Sequence, residues 1–183
     1  MNYILIVMLV LSTGCSISTK QTALHDFGLP ASISANKIRQ DDNKAAITVD
    51  APSWLWDNRI RYRLLYSSPT QVGFYALDLW IASPPELFEQ LLIASVSPRN
   101  YALIIRLQEF EQQFVAPGRA NVVLRFSAEA YSEGNKGKIA LQEFYLERPT
   151  TTANAAGAVN GFADLTQQAA DRIQAWLAGL PDK

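Results

Sequence analysis

The spacing of apolar and polar residues changes period several times along this chain, and each change marks an element. Ile4 to Leu11 is an unbroken run of eight apolar side chains. Polar residues follow to about Thr22, and folded structure is expected to begin near Leu24. Residues 31–44 mix Ser, Asn, Lys, Gln and two adjacent Asp, which reads as a polar loop, and Ala45 to Val49 is a short β-prone run. From Ile60 to Tyr66 the alternation is strict, with Ile60, Tyr62, Leu64 and Tyr66 on one side and Arg61, Arg63 and Leu65 on the other. Ser67, Ser68 and Pro69 supply turn chemistry before a second strand at Val72 to Leu77, so the two predict an antiparallel hairpin.

Ser83, Pro84, Pro85 and Glu86 form a helix start, with Ser as cap, Pro at the first helical position and Glu three residues after the cap. Leu87, Phe88, Leu91 and Leu92 continue at helical spacing, and Ser97 with Pro98 ends the run. Tyr101, Leu103, Ile105 and Leu107 alternate, but Phe110 and Phe114 fall on the opposite parity. A bulge or strong twist near Gln108 that swaps the buried face is therefore expected. With Asn121 to Tyr131 after the Pro117-Gly118 turn and Ile139 to Leu146 after Gly134 to Gly137, three strands form an antiparallel meander. The last element is the clearest. Val159, Phe162, Thr166, Ala169, Ala170, Ile173, Trp176, Leu177 and Leu180 recur at steps of three and four, Asn154 is placed to cap, and Gly179 with Pro181 ends it. The fold class read from this pattern is α/β. It is a layered domain with a mixed, largely antiparallel sheet covered by a short helix and a long C-terminal helix.

The opening apolar run is too short for a membrane span, which needs about 20 residues, and has the length of a secretory h-region. It ends in Ser12, Thr13, Gly14 and Cys15. This ending resembles the lipobox of bacterial lipoproteins, although Ser12 stands where Leu is usual and no Lys or Arg precedes the run. The expected organisation is a signal peptide over 1–14, a lipidated Cys15 with its tether over 15–23, and one periplasmic domain over 24–183. Acyl chains contribute about 0.8 kcal/mol per buried CH₂, so several of them make a lasting anchor. The alternative for Cys15 is a small unmodified thiol. Ser16 follows the Cys where inner-membrane lipoproteins carry Asp, and by that resemblance the domain is expected on the periplasmic face of the outer membrane.

Composition narrows the chemistry. A net charge of -1 and a pI near 5.8 give no basic footprint, so nucleic acid is not an expected partner. One Cys and one His supply neither a disulfide framework nor a thiolate or imidazole metal site, and no metal or cofactor is expected. There is no nucleophile elbow, phosphate-binding Gly loop or His pair, and the chain is not expected to be an enzyme. His25 reads as a surface or edge-strand residue. Glu109, Glu111, Glu129 and Glu143 alternate on predicted strands and are expected on a solvated face.

Pro52, Trp54, Leu55 and Trp56 crowd two indoles beside the strand that carries Arg61 and Arg63. Trp and Arg are enriched in interface hot spots, so Trp54, Trp56, Arg61 and Arg63 are the candidate partner-binding residues. The alternative is that the rings complete the core. Trp80, before the helix cap, is expected in the core. The run from Val49 to Leu55, then Ile60 to Arg63, then Tyr75, Trp80, Pro85 and Leu87, resembles the ABC-type transport auxiliary lipoprotein family. Phe110, Glu111, Gln112, Phe114 and the Ala-rich terminal helix extend the resemblance over nearly the whole mature chain. The family implies a tethered periplasmic domain that docks an MCE-domain protein and ABC transporter complex in lipid transport between membranes, and symmetry of MCE rings points to a cyclic homo-oligomer. A second reading is a lipid-binding carrier with an apolar cavity between terminal helix and sheet. A carboxylate-based hydrolase is a third, with no paired acidic motif behind it.

Overall fold

β-Branched and aromatic runs between turn residues fold here into one seven-stranded sheet, and the two amphipathic segments fold into helices on one of its faces. The computed structural model describes residues 21–28, 47–98, 101–132 and 135–181, without the side chains of residues 135 and 136. The expected signal peptide, Cys15, most of the tether, the polar loop at 31–44 and Ala45 lie outside the described residues. The strands are β1 (Ala23–His25), β2 (Ile47–Asp50), β3 (Arg59–Leu64), β4 (Ser68–Trp80), β5 (Tyr101–Ala116), β6 (Arg119–Ser132) and β7 (Asn135–Pro149). The helices are α1 (Pro84–Ser95) and α2 (Ala155–Ala178), and a single 3₁₀ turn spans Ser53–Leu55.

Strand order is β1-β4-β3-β5-β6-β7, with β2 on the same edge of β5 as β3. The long pairs β3/β4, β5/β6 and β6/β7 are antiparallel, whereas β1/β4, β2/β5 and β3/β5 are short parallel pairs. The architecture is thus the mixed, mostly antiparallel α/β layer that the sequence pattern predicts. β2 pairs with β5 over Leu103 to Arg106 and β3 pairs with it over Gln112 to Phe114, so the two lie end to end along one edge. That arrangement rests on long-range register and is not visible in local periodicity.

Leu107 pairs with Phe126 while Glu109 pairs with Arg125, so Gln108 is an extra residue on β5. The parity change occurs where the sequence places it, with a different outcome. The bulge does not swap the buried face. It keeps Phe110 on the same side as Leu107, opposite Leu124 and Phe126 of β6, and the apolar face stays continuous. At the end of β5, Pro117 and Gly118 make the turn, and Gly118 has φ +71, a conformation that favours glycine.

Two further expectations are corrected. Tyr66 does not extend the first hairpin strand; Leu65 to Ser67 form the turn, Leu64 pairs with Ser68, and Tyr66 is exposed. β4 also runs from Ser68 to Trp80, longer than the expected Val72 to Leu77, because it pairs with β3 on one side and with β1 at its end on the other.

Helix α1 starts where Ser83 backbone N–H donates to Glu86 Oε2 at 2.9 Å and the Ser83 hydroxyl donates to the same oxygen at 2.6 Å. These bonds hold the Glu86 carboxyl below the usual carboxylate range. Its buried stripe of Leu87, Phe88, Leu91 and Leu92 meets the sheet through the edge-on pair Phe88 and Phe126, 5.4 Å apart. Helix α2 is capped by Asn154, whose Oδ1 accepts from the Gly157 N–H at 3.0 Å, and its 24 residues cross the sheet over about 36 Å. Gly161 lets the helix come close, since a Cβ there would lie 2.8 Å from Val122.

The core between α2 and the sheet is aromatic. Phe110 and Phe162 stack with centroids 3.8 Å apart, and Trp80, 1% exposed, packs edge-on to both at 6.0 Å. Polar side chains also enter this layer: the Thr166 hydroxyl donates to the Phe162 carbonyl within the helix at 2.8 Å. Gln112, fully buried, accepts from the Tyr75 hydroxyl at 2.6 Å and donates to the Asn154 carbonyl at 3.4 Å, tying the helix start to the sheet. Burial also pushes the Tyr75 phenol well above its ordinary range. Truncation of the central ring should show how much α2 depends on this stack. Phe162→Ala is expected to lower unfolding free energy by about 3–5 kcal/mol in denaturant titration, and a loss under about 1 kcal/mol would mean that the stack does not hold the helix.

Candidate interaction cleft on the open sheet face

Both helices cover one face, so among the described residues the alternate residues of each strand meet no second layer on the other. Residues 51–58 cross the gap between the end of β2 and the start of β3, beside the Gln108 bulge. They leave a cleft of about 510 Å³ lined by Trp54, Arg61, Arg63, Gln108, Glu109 and Glu111 among others. Trp54 sits in the 3₁₀ turn, and the residue is 58% exposed. Its backbone carbonyl accepts from Arg61 Nη1 at 2.7 Å, which joins the loop to β3. Trp56 is 46% exposed and donates from Nε1 to the Ala51 carbonyl at 3.0 Å, outside the cleft lining. Neither ring completes the core, while Trp80 does.

Arg61 and Arg63 share the open face of β3 but differ in their partners. Arg63 makes a two-pronged pair with Glu111, Nε to Oε1 at 2.8 Å and Nη2 to Oε2 at 3.0 Å, and Nη1 donates to the Pro69 carbonyl. The Glu111 hydrogen bond raises the Arg63 pKa further above its ordinary value. Arg61 is lowered chiefly by burial, which disfavours its charged form. At the first residue of β3, Arg59 is held by Asp57 and its guanidinium lies 3.7 Å over the Phe74 ring. The hydrogen bond from Arg59 pulls the Asp57 carboxyl down.

The four glutamates do share this face, yet it is not uniformly solvated. Glu111 is 5% and Glu129 8% exposed, because long side chains from neighbouring strands lie across them. Each is compensated: Glu111 by Arg63, and Glu129 by the Lys138 ammonium at 2.9 Å, the Tyr131 hydroxyl at 2.6 Å and Arg106 at 3.8 Å. Glu109 pairs with Arg125 at 3.2 Å, and the Gln113 amide bridges Glu109 and Glu111 at 2.6 and 3.1 Å. Two carboxylates therefore converge in the cleft with a cation on each, an arrangement suited to recognition. The pairing of Arg125 with Glu109 escaped sequence reasoning for a countable reason. Register extrapolated from the Ala116 and Arg119 pair sets Glu109 opposite Phe126, and the irregularity near Val115 shifts it by one residue to Arg125.

His25 lies on the edge strand β1, with Nε2 3.0 Å from Asp78 on β4. Among the described residues no three His, Cys, Asp or Glu side chains gather to hold a metal, and no helix is long and apolar enough to cross a membrane.

No family model matches the chain, and no curated protein matches it. Solved structures do share the fold. A Xanthomonas campestris protein described under the family name DUF330 aligns over 72% of this chain and 81% of its own, with TM-score 0.64 and 15% identity. An uncharacterized protein aligns over 86% and 99%, with TM-score 0.65 and 15% identity. A lipoprotein candidate from Caulobacter crescentus aligns over 52% and 83%, with TM-score 0.42 and 19% identity.

The lowered Glu129 carboxyl, chiefly from Tyr131 and then Lys138, has a defined sign in the pH dependence of stability. A depressed carboxyl stabilises fully above its unfolded value, and that part is lost as pH falls through the folded one. Thermal unfolding from pH 7 to pH 3 should show Glu129→Gln less stable than wild type at pH 7 and losing less on acidification. Parallel acid limbs for the two proteins would remove Glu129 from the account.

Proposed function

We propose that this chain is a lipid-anchored auxiliary subunit of an ABC/MCE-type intermembrane lipid transport system, held on the periplasmic face of the outer membrane. It is not an enzyme; it docks the partner complex. Three lines support the reading. The h-region with Cys15 supplies the anchor, and the run from Val49 through Arg63 to Leu87 resembles the transport auxiliary lipoproteins. The observation that carries it is Trp54 beside Arg61, an exposed indole and a half-buried guanidinium on the rim of a cleft in an otherwise well-packed domain. Energy comes from the partner ATPase, since this chain has no phosphate-binding loop. By the symmetry of its partner, the subunit assembles as a ring of copies.

The carrier reading finds less support. The space between α2 and the sheet that would hold a lipid is filled by Phe110, Phe162 and Trp80 among the described residues.

Detergent extracts of cells making wild type, Cys15→Ala and Trp54→Ala/Trp56→Ala test the reading together. Wild type is expected to carry acyl mass, sediment with outer membrane and bring down an MCE-domain protein. Cys15→Ala is expected to be released from the membrane, and the double Trp variant to keep wild-type circular dichroism while losing co-purification. Unchanged co-purification of the double variant, or a wild type without acyl mass or partner, contradicts the proposal.

A further inference from the structure

Arg61 stands apart from the other cations that line the cleft. Arg63 is matched by both oxygens of Glu111, and Arg125 by Glu109. Arg61 has no carboxylate within hydrogen-bond distance among the described residues; it donates to the Trp54 carbonyl and lies 5.6 Å from the centroid of Phe74. Three guanidinium groups against two carboxylates leave the lining with one surplus positive charge, and it belongs to Arg61. Glu111 and Asp57 act on Arg61 only at longer range and are already hydrogen-bonded to Arg63 and Arg59, so burial still disfavours the Arg61 charge in the free protein, and an incoming anion in direct contact relieves that cost.

The remaining lining narrows the anion. Both glutamates are already neutralised, so a zwitterionic lipid headgroup finds no unmatched anion for its ammonium. The Thr70 hydroxyl and Gln108 amide offer donors and acceptors to a peptide backbone, and the Trp54 ring offers it an apolar wall. We propose that the cleft receives one acidic side chain of a protein partner, its carboxylate on the Arg61 guanidinium and its neighbouring residues against the Trp54 indole. This deepens the docking reading, on which it rests, by naming the chemistry that the partner presents: an exposed Asp or Glu in a segment able to enter the cleft beside Trp54. The planar guanidinium suits a carboxylate by two parallel hydrogen bonds.

The test needs no partner complex. The four Trp side chains give four indole N–H resonances in the ¹⁵N-labelled full chain in micelles, and Trp54→Phe assigns that of Trp54. The probes are the peptide acetyl-Gly-Ser-Glu-Ser-Gly-amide, the same peptide with Gln for Glu, and micelles doped with phosphatidylglycerol. The Glu peptide is expected to move the Trp54 resonance saturably and the Gln peptide to leave it in place, with binding about tenfold or more weaker in Arg61→Gln. No response to the Glu peptide, an equal response to the Gln peptide, an unchanged response in Arg61→Gln, or a response to phosphatidylglycerol alone overturns the proposal, the last in favour of a headgroup site. Because the Gln peptide is compared on wild type, the outcome stands even where Arg61→Gln perturbs the loop. Peptide binding without co-purification would sink the transport reading alone, and co-purification without peptide binding would sink this one alone.

Discussion

One extra residue in one strand governs both layers of this domain. With Gln108 bulged out of β5, Leu107 and Phe110 point to the same side, and a 16-residue strand keeps one apolar face under two helices. Without the bulge, one half of β5 would offer Glu109 and Glu111 to α2 and turn Phe110 toward water. Transferring charged carboxylates into an apolar layer is far more costly than the loss of one ladder position, so the bulge is the cheaper geometry. The same residue helps to separate β2 from β3 along β5, and the gap is where residues 51–58 cross and the cleft forms.

The two faces then follow different rules. On the helix side stability comes from ring contacts such as Phe110 with Phe162 and Phe126 with Phe144, stacked at 3.8 and 4.8 Å, and from the close approach that Gly161 permits. On the open side no second layer is found among the described residues, and the strands cover one another with long charged side chains. Glu111 and Glu129 become buried by their own neighbours and are tolerable only because Arg63, Lys138 and Tyr131 are aimed at them. Such a face is held in place by its own ion pairs, which limits the conformational cost of any binding to it.

Much of this was legible in the chain. α2 showed in its three-and-four spacing, α1 in Ser83, Pro84 and Glu86, the β5/β6 turn in Pro117 and Gly118, and the bulge in the changed parity after Leu107. What escaped depends on distance in sequence. β1 is three residues long, too short for any period, and is held by β4 and by His25 with Asp78. The parallel pairs of β2 and β3 with β5 join segments some fifty residues apart. Tyr66 continued an alternation that the backbone had already left for a turn. At the cleft, Trp54, Trp56, Arg61 and Arg63 could be chosen by residue type, but whether the indoles faced core or solvent depended on the crossing of residues 51–58. The Arg125 pairing was hidden by the shift of register near Val115.

The measurement that reaches furthest into this account is the deletion of Gln108, followed by far-ultraviolet circular dichroism and thermal unfolding beside the wild type. The account predicts that the deletion abolishes cooperative unfolding or lowers the melting temperature by tens of degrees, because the two halves of β5 then present opposite faces to α2. A deletion variant that keeps its helix content and melts with the wild type would show that the bulge is incidental, and the explanation of core and cleft together would fall.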